Sequence, residues 1–168
     1  MGDRLLYIVN DAGFFCSHRL PIALAAQAEG YRVAVACPAD GKVARITGAG
    51  LEHIALPMGR GKLDPLGEVA ALRALDRIVA RFDPALVHLI TSKPIIYGGL
   101  VTRRRRIPAV AAVSGLGHVF IDDSAKSRLL RRAALLGYRL AMDRPGLHPI
   151  FQNRDNLALF EQAGAVRE

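Results

Sequence analysis

The chain has 168 residues, 51% of them hydrophobic, and a formal net charge of +8. This length fits one domain of ordinary size, and the apolar content excludes an intrinsically disordered chain. No apolar run reaches the roughly 20 residues of a membrane-spanning helix, and the N-terminus lacks the basic and apolar regions of a signal peptide, so we expect a cytoplasmic protein.

Short apolar runs alternate with helical patterns along the chain. The predicted strands are residues 5–9, 31–37, 52–56, 85–90, 108–113 and 146–151. The predicted helices are residues 19–29, 65–82, 127–142 and 153–163, with a further helix after the fourth strand. The strands are nearly continuous in apolar character, as strands buried on both faces are. This pattern predicts an α/β fold: a Rossmann-like, doubly wound parallel sheet with helices on both faces.

Ligands of such sheets bind beyond the carboxyl ends of the strands, so the loops that leave the strands are the candidates. The loop after the first strand runs from Asn10 to His18 and contains one glycine, Gly13. An NAD-binding enzyme would have a G-x-G-x-x-G turn here, so this loop argues against a dehydrogenase. Backbone N–H groups in the loop can still bind a phosphate.

Two more strands carry candidate residues. Lys93 follows the fourth strand, where it is either a ligand for a phosphate or sugar hydroxyl or an ordinary surface lysine. His88 lies within that strand and is either hydrogen-bonded in the core or functional. Gly115, Gly117 and His118 follow the fifth strand. The glycines let the backbone approach a ligand closely, and the alternative is a simple turn with a surface histidine.

Other common catalytic motifs are absent from the sequence. It has no H-E-x-x-H, G-x-S-x-G, Walker A or C-x-x-C element. Cys16 and Cys37 are far apart and lack the paired spacing of a zinc site, so we expect reduced thiols. We expect neither a metal ion nor a cofactor.

Two basic blocks concentrate the positive charge. They are Arg103, Arg104, Arg105 and Arg106, and Lys126, Arg128, Arg131 and Arg132. Such blocks indicate an anionic partner, namely nucleic acid, an anionic membrane or a phosphate-bearing substrate, or they are solvated helix faces. The sequence lacks a recognition-helix pattern and aromatic residues among the arginines, so we expect no nucleic acid.

Four stretches resemble the N-terminal domain of family 4 glycosyltransferases of the GT-B fold. They are L-Y-I-V-N-D-A-G-F-F-C-S-H-R-L-P (6–21), F-D-P-A-L-V-H-L-I-T-S-K-P-I-I-Y-G (82–98), P-A-V-A-A-V-S-G-L-G-H-V-F (108–120) and F-Q-N (151–153). The resemblance covers essentially the whole chain in the right order. It is greatest to bacterial enzymes that build O-antigen, capsule or lipid-linked oligosaccharides.

The resemblance implies that residues 1–168 are one acceptor-side domain and that a C-terminal donor-binding domain is absent from this chain. It implies a hexosyl- or N-acetylhexosaminyltransferase that moves a sugar, with retention of configuration, from a UDP-linked or other nucleotide-sugar to a lipid-linked or polysaccharide acceptor. The family needs no metal ion and no enzyme nucleophile. We expect the isolated chain to be inactive.

The family's site residues carry over onto matching positions. The resemblance places Gly13 and Phe14 against the donor diphosphate and His18 at the start of the next helix. Many relatives have a glycine pair where this chain has Ala12-Gly13. The remaining matches are the basic residue after strand four, the cleft-lining glycines and a candidate catalytic histidine: Lys93, Gly115, Gly117 and His118. These turns are expected to converge on one groove.

The resemblance also implies a place for the basic blocks at the anionic inner face of the cytoplasmic membrane. Each basic residue near such a surface is worth on the order of 1 kcal/mol. Leu129 and Leu130 lie beside Arg128 and could rest on the bilayer. Two alternatives remain open: a UDP-sugar 2-epimerase of the same architecture, and a non-catalytic basic module that binds membrane or nucleic acid.

Overall fold

A computed structural model describes residues 3–59, 64–114 and 125–166. The chain forms two compact units, Met1–His88 and Leu89–Glu168. The strands of the described residues are β1 (Arg4–Val9), β2 (Arg32–Cys37), β3 (Glu52–Ala55), β4 (Leu86–Ile90), β5 (Ala109–Val113) and β6 (Leu147–Phe151). The helices of the same ranges are α1 (Ala12–His18), α2 (Leu20–Ala28), α3 (Val43–Gly48), α4 (Pro65–Phe82), α5 (Ser92–Arg105), α6 (Ala125–Met142) and α7 (Arg154–Gln162).

The strands form a six-stranded open sheet in the order β3-β2-β1-β4-β5-β6. β1 pairs with β2, β2 with β3 and β5 with β6, each in parallel. Pro149 lies in β6, and a proline is tolerated there because β6 is an edge strand. The predicted fold class, a Rossmann-like doubly wound α/β sheet, is confirmed.

In the first unit, helix α4 shows how local sequence sets the elements. The Asp64 side chain accepts a hydrogen bond from the Gly67 N–H at 3.0 Å, and Pro65 occupies the first turn. The apolar stripe of α4 buries Ala71, Leu75, Val79 and Phe82. The helix has the predicted bounds at both ends.

In the second unit, α5 and α6 pack closely through small residues. A Cβ atom built at Gly99 would lie 2.6 Å from the Cβ of Ala141, and one at Gly137 would lie 3.1 Å from Ile96. Arg144 adds hydrogen bonds to the Thr102 hydroxyl (2.9 Å) and to the Ile107 carbonyl (3.0 Å). The contact between α5 and α6 requires glycine at position 99, since any side chain there would force the two helices apart.

Two short helices, α1 and α3, were not predicted, and the first of them corrects the position of His18. The predicted helix over 19–29 is α2, whereas His18 is the last residue of α1 and does not begin the next helix. The reason is Asp11, whose side chain accepts from the Phe14 N–H at 2.6 Å and starts a helix directly after β1.

Candidate functional site

In the first unit, α1 carries the candidate residues at the carboxyl end of β1. Ala12, Phe15 and Cys16 are buried and fix this short helix to the core. Gly13 and Phe14 remain partly exposed, and His18 is exposed. The fold therefore presents to the surface the three residues of this loop that were predicted to bind substrate.

Phe14 and His18 form a stacked pair on the outer side of α1. Their ring centroids are 4.3 Å apart, with an interplanar angle of 13°. Nδ1 of His18 lies 3.2 Å from the Phe14 carbonyl oxygen. Positions four apart on a helix are neighbours, so the helix itself sets this arrangement. The pair offers a flat apolar ring and an adjacent polar ring to a ligand.

Lys42, which sequence reasoning missed, lies against Gly13. A Cβ atom at position 13 would be 2.6 Å from Lys42 Nζ and 2.7 Å from its Cδ. Lys42 comes from the loop between β2 and α3, where its backbone N–H donates to the Asp40 carboxylate at 2.8 Å. The absence of a side chain at position 13 thus lets an ammonium group lie over the turn that leaves β1. Ligands of such sheets bind beyond the carboxyl ends of the strands, and this rule would have identified Lys42 if it had been applied to β2.

The two cysteines of this unit are buried free thiols. Burial, and to a lesser extent Asp40, raises the pKa of Cys37 to about 12. Burial also raises the pKa of Cys16. Because the thiolate is the reactive form, neither side chain is suited to be a nucleophile.

His88 lies in β4 with its ring stacked on Tyr7 of β1. The centroids are 4.9 Å apart and the planes differ by 23°. Nε2 of His88 is buried and has no hydrogen-bond partner among the residues that the structure describes. Burial, assisted by the Arg19 charge, lowers the pKa of His88 to about 4. This places a neutral, half-buried imidazole against Tyr7, without the hydrogen bond at Nε2 that a purely structural histidine would be expected to make.

In the second unit, Lys93 is a half-buried residue of the first turn of α5. Thr91, directly before this helix, has φ 72° and ψ 166°. This region of backbone space is essentially restricted to glycine, and such strain is concentrated at functional sites. The strain at Thr91 marks the carboxyl end of β4 as a functional candidate, and no sequence pattern would have revealed it.

Gly115, Gly117 and the predicted catalytic residue His118 lie outside the described residues. Gly13 and His18 belong to the first unit and Lys93 to the second. The convergence of the turns after β1, β4 and β5 on one groove therefore stays a prediction.

The two basic blocks lie on α5 and α6 of the second unit. Arg103, Arg104 and Arg105 form the last turn of α5, and Arg106 ends it with φ 57°. Nη1 of Arg103 donates to the Leu140 carbonyl of α6 at 2.6 Å, which ties the first block to the second helix. Arg128 and Arg132 are exposed on α6, whereas Arg131 is half-buried.

Large apolar side chains accompany the arginines of α6. Leu129, Leu136 and Leu140 are 69%, 57% and 49% exposed. Their spacing of seven and four residues places them on one side of the helix. Leu130 is half-buried and contributes less than its neighbour. No helix of the described ranges combines the length and the apolar character that crossing a bilayer requires.

A comparison with protein families agrees with the resemblance seen in the sequence. The profile of the family described as glycosyl transferase 4-like matches residues 4–143. The chain belongs to this family. A search of the curated proteins found no match.

Solved structures of this architecture include both glycosyltransferases and epimerases. Anabaena Alr3699/HepE, solved in complex with UDP and glucose, has a TM-score of 0.63 at 17% identity, covering 96% of this chain and 41% of its own. Acinetobacter baumannii MurG has a TM-score of 0.57 at 14% identity, covering 79% and 39%. The Neisseria meningitidis UDP-GlcNAc 2-epimerase, bound to UDP-GlcNAc, has a TM-score of 0.56 at 13% identity, covering 80% and 38%.

These structures share the fold with the glycosyl transferase 4-like chain. The chain spans only 38% to 41% of the length of these three proteins. The family and the Rossmann-like architecture predicted from the sequence are confirmed, and the substrates belong to the proposal below.

Proposed function

We propose that this chain is the acceptor-side domain of a retaining glycosyltransferase that moves a sugar from a UDP-sugar to a lipid-linked or polysaccharide acceptor in cell-surface glycan synthesis. The match of the glycosyl transferase 4-like family to residues 4–143 carries this proposal. The binding of UDP and glucose by the similar Anabaena protein supports a UDP-linked donor. Sugar transfer takes place once a donor-binding domain completes the site.

The groups at the carboxyl end of β1 have the chemistry that this reaction requires. The Lys42 ammonium, which lies over Gly13, neutralises charge on a phosphate of the substrate. The Phe14–His18 pair contacts the sugar ring. Their task is to position the two substrates and to stabilise the charge that develops as the diphosphate leaves.

Lys93 supplies a second positive charge, at the start of α5. The amino end of this 14-residue helix also favours an anion through the helix dipole. His118, which follows β5, contacts the transferred sugar or the acceptor hydroxyl in this proposal. No metal ion or cofactor takes part.

Product analysis of the complete protein tests the function. We expect UDP-sugar consumption to depend on an added lipid or saccharide acceptor. The product should be a glycosylated acceptor in which the transferred sugar keeps the anomeric configuration that it had in the donor. The epimerase structures that share this fold provide the second candidate. If the protein instead epimerises the sugar of the UDP-sugar without an acceptor, the proposed function would be epimerisation and not sugar transfer.

The exposed face of α6 supports a membrane-bound acceptor. It combines the leucines at 129, 136 and 140 with exposed Arg128 and Arg132. In the proposal the leucines enter the interface of an anionic bilayer and the arginines bind its head groups. Arg103, held at the Leu140 carbonyl, extends the positive charge to the end of the leucine row.

Flotation with anionic and neutral vesicles tests membrane binding. We expect the chain to float with anionic vesicles at low salt, and Leu129→Gln or Leu136→Gln to weaken this binding. Leu66→Gln is the matched control, because Leu66 is an 82% exposed leucine of α4, a helix of the first unit. An absence of flotation at low salt, or an equal loss in the control, would remove membrane docking from the proposal.

A further inference from the structure

The first unit contains a second candidate site, beside α4. A groove of about 650 Å³ is lined by α4, by the first residues of β1 and β2, and by the edge strand β3. Arg4, Arg32, Arg77 and Arg81 line it, together with the apolar side chains of Ile78 and Phe82. Its volume is within the range of about 300–1,000 Å³ that is typical of small-molecule sites.

Two of the four arginines are neutralised by carboxylates. Nη2 of Arg32 is 2.8 Å from a carboxylate oxygen of Glu52, and Arg4 pairs with the carboxylate of Asp83. Arg32 is also 5.6 Å from the centre of the Phe82 ring, which helps to hold its guanidinium in place. These contacts fix two cations on one side of the groove.

The other two arginines leave an excess of positive charge. Arg77 and Arg81 lie one turn apart on α4, so their side chains project from the same face. Nε of Arg77 donates to the Arg73 carbonyl at 3.3 Å. Among the described residues, neither Arg77 nor Arg81 forms an ion pair with a carboxylate. The groove therefore combines two available guanidinium groups, two fixed ones and an apolar wall.

We propose that this groove binds a small soluble molecule that carries phosphate groups. Planar guanidinium groups match phosphate oxygens with paired hydrogen bonds, which the point charge of a lysine does not provide. The Ile78 and Phe82 wall takes the apolar part of the same molecule. The site is distinct from the proposed sugar-transfer site, because none of its lining residues belongs to α1 or to the loop that carries Lys42.

Titration calorimetry with inorganic pyrophosphate tests the proposal on the 168-residue chain. We expect saturable binding, weakened at least about tenfold by Arg77→Gln and by Arg81→Gln, since each removes a charge-assisted hydrogen bond. Arg154→Gln removes the same charge from an exposed position of α7 in the second unit, and it should leave binding unchanged. In nitrogen-detected NMR, the Nε–H signals of Arg77 and Arg81 should shift with pyrophosphate.

Three results would overturn the proposal. The first is an absence of saturable binding by the wild-type chain. The second is an equal loss of affinity in Arg154→Gln, which would indicate diffuse attraction to a basic protein. The third is a loss of binding to phosphatidylglycerol vesicles in Arg77→Gln and Arg81→Gln, without saturable pyrophosphate binding by the wild type, which would assign these arginines to a lipid surface. None of these results bears on sugar transfer, which product analysis of the complete protein tests separately.

Discussion

Replacing His88 by phenylalanine should remove a specific pH dependence of stability. The folded chain holds the imidazole at a pKa of about 4, against an unfolded value of about 6.5, because the ring is buried and Arg19 is near. The unfolded chain therefore binds more protons between these values, and the free energy of unfolding falls as the pH falls through this window. From these two pKa values the loss between pH 7 and pH 5 is about 2 kcal/mol. Phenylalanine keeps a ring against Tyr7 and cannot titrate.

Urea denaturation at pH 7 and pH 5 measures this effect. The wild-type chain should lose about 2 kcal/mol more than His88→Phe, because all other titrating groups are common to both. His148→Gln, at an exposed position of β6, is the control and should behave like the wild type. Equal pH dependence in wild type and His88→Phe, or an NMR titration of His88 near pH 6.5, would refute the reasoning.

Three further substitutions test the packing and the backbone. Gly99→Val must push α5 away from Ala141, so the free energy of unfolding should fall by about 1–3 kcal/mol in urea denaturation, and unchanged stability would contradict the close contact. Gly13→Ala should change the free energy of unfolding by no more than about 1 kcal/mol. The added methyl group should displace Lys42 and reduce sugar transfer by the complete protein, and full activity would argue against a role for this turn. Thr91→Gly should raise the free energy of unfolding by about 1 kcal/mol by relieving its positive φ, and a loss of stability would contradict strain there.

The fold could be predicted where the sequence pattern is long or strongly apolar. The 18 residues of α4 repeat their apolar positions over five turns, and Asp64 and Pro65 mark the start. The continuous apolar character of β1 and β2 identified them as strands buried on both faces. Helices α1 and α3, with seven and six residues, are too short to show a helical period, which is why His18 was assigned to the wrong end of a helix.

The candidate site could be predicted only in part. The rule that ligands bind at the carboxyl ends of strands selected Gly13 and Lys93 as candidates, and their role in binding stays a prediction. Lys42 reaches Gly13 because β2 pairs in parallel with β1 and brings the loops after both strands together, a consequence of register that no local motif encodes. The stacking of Phe14 on His18 follows from their spacing of four once α1 is known.

Hydrogen exchange on the complete protein tests most directly whether these strand ends are the substrate site. With a UDP-sugar and an acceptor bound, backbone amides of residues 11–18 and 91–95 should exchange more slowly than in the free protein. Protection confined to other parts of the chain, with residues 11–18 and 91–95 unchanged, would contradict the assignment of sugar transfer to these residues.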